Sequence, residues 1–218
     1  MKNGHGKWLK LDGQLKTNKR IEKISRRFGG SEKDKIKQIV DWISNNLKYP
    51  KGEKGKEGFE EEFMKRDVSE IVNSGYVRGC TDISIVFVTL ARLNGIPTKW
   101  LYLVDSRLIL EGNISYAGHG IARCFFDNEW HLVDPTGRWG VFWSKIPEWF
   151  NVYYEGQSPR EAGIVDFDTV KEIIDEHGGI KCHFDLPKDI AVEVLEKSRE
   201  MNISAYEFIK RAIKEKLK

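Results

Sequence analysis

Three side chains in this sequence have the types needed for nucleophilic acyl chemistry: Cys80, His119 and Asp134. Cys80 lies in Arg78-Gly79-Cys80-Thr81-Asp82, directly before an apolar run from Ile83 to Leu93, where a helix would begin. The free N–H groups and partial positive charge of a helix N-terminus favour thiolate over thiol. Gly79 would let a substrate backbone approach. A cysteine nucleophile also needs a base in reach, and the base needs an orienting group. Without such partners the plainer reading of Cys80 is a small buried hydrophobe.

The partners can be tested by register. Gly120 to Phe126 and Glu129 to Val133 read as two strands joined at Asp127-Asn128. If that pair is a two-residue turn, Phe126 faces Glu129, and counting back places Asp134 opposite Ile121. Facing residues share a side of the sheet, as do residues two apart. His119 and Asp134 then share a face as diagonal neighbours, about 7–8 Å apart between Cα atoms and within reach of a hydrogen bond. His131 has the opposite parity. A three- or five-residue loop would flip the parity.

The elements around these residues follow from periodicity. Ser31 is a good N-cap, and Ile36, Ile39, Val40, Ile43 and Leu47 recur at helical spacing. Val68 to Val72 predicts a short helix ending at Asn73 and Gly75. The run from Ile83 to Leu93, stopped by Asn94-Gly95-Ile96-Pro97, has the length and stop of a buried helix, although Ile83, Ile85, Val86 and Val88 would suit a strand. Lys99 to Val104 predicts a buried strand and Asp105 to Gly118 a loop. Lys51 to Gly58, charged and Gly-rich, predicts a mobile loop. The aromatic stretch from Trp139 to Tyr154 is either core packing around an irregular loop or a cleft wall. Glu60-Glu61-Glu62, His5 and His177 read as solvated, and Cys124 as a sheet residue.

The chain has 218 residues, 36 Lys and Arg against 33 Asp and Glu, and 40% hydrophobic residues, enough for a sizeable core and too many for a disordered chain. No apolar run approaches the roughly 18–20 residues of a membrane span. The polar start lacks the apolar stretch of a signal peptide. Three cysteines, Cys80, Cys124 and Cys182, are widely spaced and form neither a disulfide framework nor a metal pair. A cytoplasmic protein with reduced thiols and no cofactor or metal is expected. Residues 1–30 carry nine Lys and Arg against Asp12 and Glu22 and read as a basic N-terminal arm. Residues 31–177 read as the main domain and residues 178–218 as a small module beyond Gly178-Gly179.

Gly79-Cys80 opening a helix, the stop at Asn94-Gly95-Ile96-Pro97, His119 at a strand start and Trp130-His131-Leu132-Val133-Asp134-Pro135-Thr136 resemble the transglutaminase-like core of the papain-like cysteine enzymes. Trp42-Ile43 and Leu47-Lys48-Tyr49 upstream match as well. The resemblance implies an α+β, papain-like fold with a catalytic Cys80–His119–Asp134 triad. Cys80 would attack an amide or peptide carbonyl to give a thioester, His119 would pair with the thiolate and protonate the leaving group, and Asp134 would orient the imidazole. The Cys80 N–H would contribute to an oxyanion hole. No Gln or Trp stands beside Cys80, as in some relatives. Water as acceptor gives a protease or amidase; an amine gives a transglutaminase.

From Ile180 the pattern changes. Lys181 to Leu186 alternates polar and apolar, Pro187 opens a helix to about Met201, and Ser204 to Glu207 is a capping box before a second amphipathic helix. This unit resembles the ribbon-helix-helix module of small regulators. The resemblance implies a homodimer through residues 180–218, with Lys181 and His183 facing DNA and Ser204 meeting a phosphate. Asp185 and a small charge excess favour dimerisation without DNA. The expected partners are therefore a peptide or protein substrate and a second copy of the chain, with DNA as an alternative and no membrane. The competing function is a DNA-binding or dimeric regulator whose larger domain binds a ligand without catalysis.

Overall fold

The computed structural model describes residues 4–50, 59–105, 107–108, 117–177, 188–201, 203 and 205–216. The chain divides into two compact units, Met1–Ile180 and Lys181–Lys218.

The first unit is α+β. Five helices precede the sheet: α1 (Lys19–Ser25), α2 (Glu32–Asn46), α3 (Phe59–Glu62), α4 (Val68–Ser74) and α5 (Cys80–Leu93). Capping chemistry sets where three of them begin. The Asn18 side chain accepts from Arg20 N and Ile21 N, and Ser31 with Asp34 and Asp67 with Glu70 form reciprocal capping boxes. Gly75 ends α4 at φ +73°, a left-handed conformation that costs glycine little. Ile36, Ile39, Val40 and Ile43 give α2 its buried face. The β-branched residues of α5 do not make it a strand. It is surrounded by core on nearly every side, so hydrophobic burial outweighs the small propensity penalty of branching.

The sheet has the order β4-β3-β2-β1-β5, every pair antiparallel, with β1 (Thr98–Asp105), β2 (Gly118–Phe126), β3 (Glu129–Val133), β4 (Phe142–Trp143) and β5 (Phe150–Gly156). Asp127 (φ 50°) and Asn128 (φ 65°) form the two-residue turn, and Phe126 pairs with Glu129, the register read from the sequence. Trp100, Tyr102, Val104, Ala122, Cys124 and Val133 belong to the core that contains α5, and Leu101, Leu103, Ile121, Leu132 and Phe150 form a second cluster. Odd-numbered positions of β1 and β2 thus face away from α5, as period-two alternation requires. A further helix, α6 (Phe167–His177), buries Val170, Ile173 and Ile174 in the α5 core.

The N-terminal segment differs from its reading as a basic arm. Leu15 and Ile21 are fully buried, and Gln14 donates to Met64 O and Arg66 O. The basic residues lie between these apolar positions, so charge content concealed an amphipathic segment that packs from Gly13 onward. His5 is not simply solvated: its ring stacks on Phe125, centroids 4.1 Å apart. The aromatic stretch forms strands as well as loop: β5 carries Tyr153 and Tyr154 onto the core, while Trp139 and Trp149 stay exposed.

In the second unit, α7 (Lys188–Glu200) and α8 (Ala205–Lys216) pack against each other. Ile190, Val192, Met201 and Ile213 are exposed. The expected strand from Lys181 to Leu186, with Lys181, Cys182 and His183, lies outside the described residues, as do Ser204, the His177 side chain, the loop 51–58 and most of the loop after Asp105.

Candidate active site

Cys80 is the first residue of α5, so its backbone N–H has no intrahelical acceptor. Gly79 supplies no side-chain cap, which leaves the helix end open. The entry loop is held from below. Asp82, almost fully buried, accepts from Arg78 N at 2.8 Å and is ion-paired with Arg66, which also donates to Tyr76 O. Lys48 N donates to Gly75 O and Val77 N to Lys48 O, clipping the end of α2 to the same loop. Glu62 accepts from Tyr76 Oη at 2.7 Å and from Arg78 Nε at 2.8 Å. It therefore braces the nucleophile loop and is no solvated residue. The sequence showed no sign of this role, because Glu62 meets its partners only through tertiary packing.

Helix α5 reaches β2 where the strand is bare. A Cβ at Gly120 would lie 2.7 Å from Ser84 Oγ, 3.4 Å from Thr81 Cα and 3.5 Å from Cys80 O, and one at Gly118 would collide with the Tyr102 hydroxyl. Gly120 thus admits the helix N-terminus, and Gly118 makes room for Tyr102 of β1. Gly120 N donates to Cys80 Sγ at 3.3 Å, and Sγ lies 3.7 Å from Gly118 O.

His119 and Asp134 share the sheet face opposite α5. Their Nε2 and Oδ2 atoms are 3.3 Å apart, and Asp134 is fully buried. The other Asp134 oxygen accepts from Thr136 N at 2.9 Å and Thr136 Oγ1 at 2.7 Å. Trp139, Trp143 and Phe150 surround the imidazole at centroid distances of 5.3, 6.1 and 5.8 Å. His131 has the other parity and stacks on Phe126, away from this group. His119 and Asp134 thus meet as the register argument requires, and Cys80 lies beside them at the start of α5.

The electrostatics separate charge between Cys80 and His119. Burial works against the Cys80 thiolate, but the His119 hydrogen bond and charge, with the Gly120 N–H, overcome it and hold the thiol below its ordinary value. Burial likewise opposes the imidazolium, yet the Asp134 and Cys80 hydrogen bonds and charges raise His119 to about 10. Each group thus stabilises the charged form of the other, thiolate on Cys80 and imidazolium on His119.

This group opens into a cleft of about 960 Å³. Tyr49, Phe59, Phe63, Trp139, Phe150 and Phe167 supply aromatic wall, and Arg78, Arg107 and Arg138 line it with Asp105. Tyr49 reaches the cleft from just beyond α2. The α3 aromatics were not read as cleft residues, since their stretch carries no regular period. Among the described residues, no three His, Cys, Asp or Glu side chains converge as metal ligands would, and no helix is long and apolar enough to cross a membrane. Lys181, His183 and Ser204 are not among the described residues.

The model of the transglutaminase-like superfamily matches residues 21–135. No curated protein matches. Among solved structures, the chain is similar to a candidate cysteine protease from Cytophaga hutchinsonii, with 17% identity and a TM-score of 0.48 over 66% of this chain and 44% of that one. It is also similar to a structure described as a TGase, at 22% identity and TM-score 0.38, covering 55% and 30% of the two chains. A candidate protease from Parabacteroides distasonis gives 17% and 0.40, covering 66% and 31%. The chain spans less than half the length of each. The family match covers more than half of this chain and runs from α1 through the residue that follows Asp134: the chain belongs to the transglutaminase-like superfamily.

Proposed function

We propose that this chain is a cysteine acyl-transfer enzyme, with water as acceptor, that hydrolyses amide or peptide bonds. The observation that carries the reading is the position of Cys80 Sγ. It accepts the Gly120 N–H at a helix N-terminus, beside an imidazole bonded to a buried carboxylate. In the proposed sequence the Cys80 thiolate adds to the substrate carbonyl, and the oxyanion meets the Cys80 N–H. The His119 imidazolium gives its proton to the leaving amine as the C–N bond breaks, leaving a thioester. Neutral His119 then takes a proton from water as its oxygen attacks. The carboxylic acid leaves and the thiolate returns. Asp134 keeps the imidazole oriented throughout. An amine in place of water would make the same thioester an acyl donor.

The test is the iodoacetamide alkylation rate of Cys80 against pH, followed by mass spectrometry with Cys124 as internal reference. A rate plateau persisting well below the free-thiol pKa of about 8.5, and lost in His119→Ala, is expected. A rate that follows an ordinary thiol would overturn the reading.

For residues 180–218 we propose a ribbon-helix-helix-like dimerisation module, with Lys181, His183 and Ser204 as the groups that would meet DNA if it binds nucleic acid. Two consecutive helices in a separate unit, with exposed Ile190, Val192, Met201 and Ile213, support self-association. A monomer at micromolar concentration by sedimentation would overturn it.

A further inference from the structure

The cleft beside Cys80 is lined by three arginines, and two of them are already matched. Arg78 Nε lies 2.8 Å from Glu62 Oε2, and Arg107 holds both oxygens of Asp105, at 3.1 and 2.8 Å. Arg138 differs. It is exposed, and among the described residues no carboxylate lies within ion-pair distance of it. Its guanidinium rests on the face of Trp139, 4.8 Å from the guanidinium carbon to the ring centroid. Stacking of this kind occupies the flat face of a guanidinium and leaves its in-plane N–H donors available, in the fork that matches a carboxylate.

The loop that carries Arg138 is tied to the site. Asp134 orients His119 with one oxygen and accepts from Thr136 with the other. Thr136 Oγ1 in turn accepts from Arg138 N at 3.3 Å, and Gly137, at φ +65°, makes the turn between them. Trp139, under the guanidinium, packs edge-on to the His119 ring. The same carboxylate therefore fixes both the proposed base and the approach of an unmatched cation to the cleft. Asp134 does not neutralise that cation directly, since its oxygens are already bonded and it is fully buried.

We propose that Arg138 makes the cleft selective for acyl donors that carry a carboxylate close to the scissile carbonyl. This rests on the reading of Cys80 as an acyl-transfer nucleophile and adds the substrate class: acidic peptides or amides in preference to neutral or basic ones. Selectivity arises because a carboxylate presented to Arg138 gains a charge-assisted bidentate bond, which an amide of equal size cannot make.

The experiment uses the full chain and paired alkylating probes that differ only in charge. N-iodoacetyl-glutamate α-amide is compared with N-iodoacetyl-glutamine α-amide at pH 7 and low salt. In each the Cys80 thiolate displaces iodide, and the ratio of rates cancels thiol reactivity. We expect the acidic probe to react about 5–10-fold faster, the ratio to fall to about 2 or less in Arg138→Ala, to be kept in part by Arg138→Lys, and to invert in Arg138→Glu. N-iodoacetyl-glycine against its amide asks whether the carboxylate is that of a chain terminus rather than a side chain. A ratio near one for both pairs in the native protein, or a ratio that Arg138→Ala leaves unchanged, overturns the proposal. The pH plateau with iodoacetamide is read separately, so loss of the thiolate reading and loss of the Arg138 assignment give different results.

Discussion

Cys80 borders strand β2 at the cleft and Cys124 is buried within the same strand, and the two sulfurs meet different partners. Cys124 is inside β2, facing the α5 core, with the Thr98 hydroxyl 3.6 Å from its sulfur. Burial pushes it up to about 12, and the Thr98 contact and Arg92 charge only partly oppose this. Cys80, beside the start of β2, meets a backbone N–H and an imidazole paired with a carboxylate, and is held below the ordinary thiol value. Burial alone makes a cysteine inert. A buried thiolate requires donors aimed at the sulfur, and here they are the Gly120 N–H and the His119 imidazole.

The strongest way to break this contrast is to remove the imidazole. In His119→Ala, Cys80 should titrate as a buried thiol, with its alkylation rate at pH 6 falling by about 100-fold. Cys124 should stay unreactive in both folded proteins and react only on unfolding. Cys124 becoming reactive in the variant without denaturant would mean that His119 acts on the fold and not on the thiol.

The second test removes the bare strand. Gly120→Ala would force Ser84, Thr81 and Cys80 away from β2. A destabilisation of about 1–3 kcal/mol in urea unfolding is expected, as for other overpacked sites. The low-pH limb of Cys80 alkylation should shift toward ordinary thiol behaviour, because the Gly120 N–H no longer meets the sulfur. Unchanged stability would show that α5 does not need the glycine.

Asp134→Asn sharpens the comparison further. The His119 pKa, raised to about 10, should fall, by about 1–3 units if the carboxylate's charge is the main loss. The sign is fixed: imidazolium persists below its pKa, so the pair should lose its proton at lower pH in the variant. An imidazole NMR titration reads this directly. A midpoint that does not move would remove Asp134 from the pair.

Much of this contrast was legible before any coordinates. The turn at Asp127-Asn128 fixed the parity of β2 and β3, so His119 and Asp134 could be placed together and His131 set aside. That inference is local, because period-two alternation carries it along one hairpin. The α5 run was legible through its length and its Gly-Pro stop. What escaped was tertiary. Glu62 looked like one of three solvated carboxylates until α3 folded it under Tyr76 and Arg78. Residues 1–30 read as a basic arm because nine cations outweigh the few apolar residues that anchor the segment. The glycines around His119 are visible as letters, but their use depends on how closely Tyr102 and a distant helix approach them.

The smallest expected effect belongs to the other sulfur. Cys124→Ala removes a sulfur from a packed position and leaves a small void, at a cost of about 1 kcal/mol. It should leave the Cys80 pH profile unchanged, since Cys124 packs against Thr98 at the opposite end of the β1–β2 pairing from Gly118. The Thr98 hydroxyl would lose little, because it also donates to Ile96 O at 2.9 Å. If the Cys80 plateau moved in this variant, the two sulfurs would be coupled through β2, and the reactivity of Cys80 would depend on packing along the whole strand and not on the donors at its start. Thermal unfolding beside the iodoacetamide profile of the same preparation separates the two outcomes.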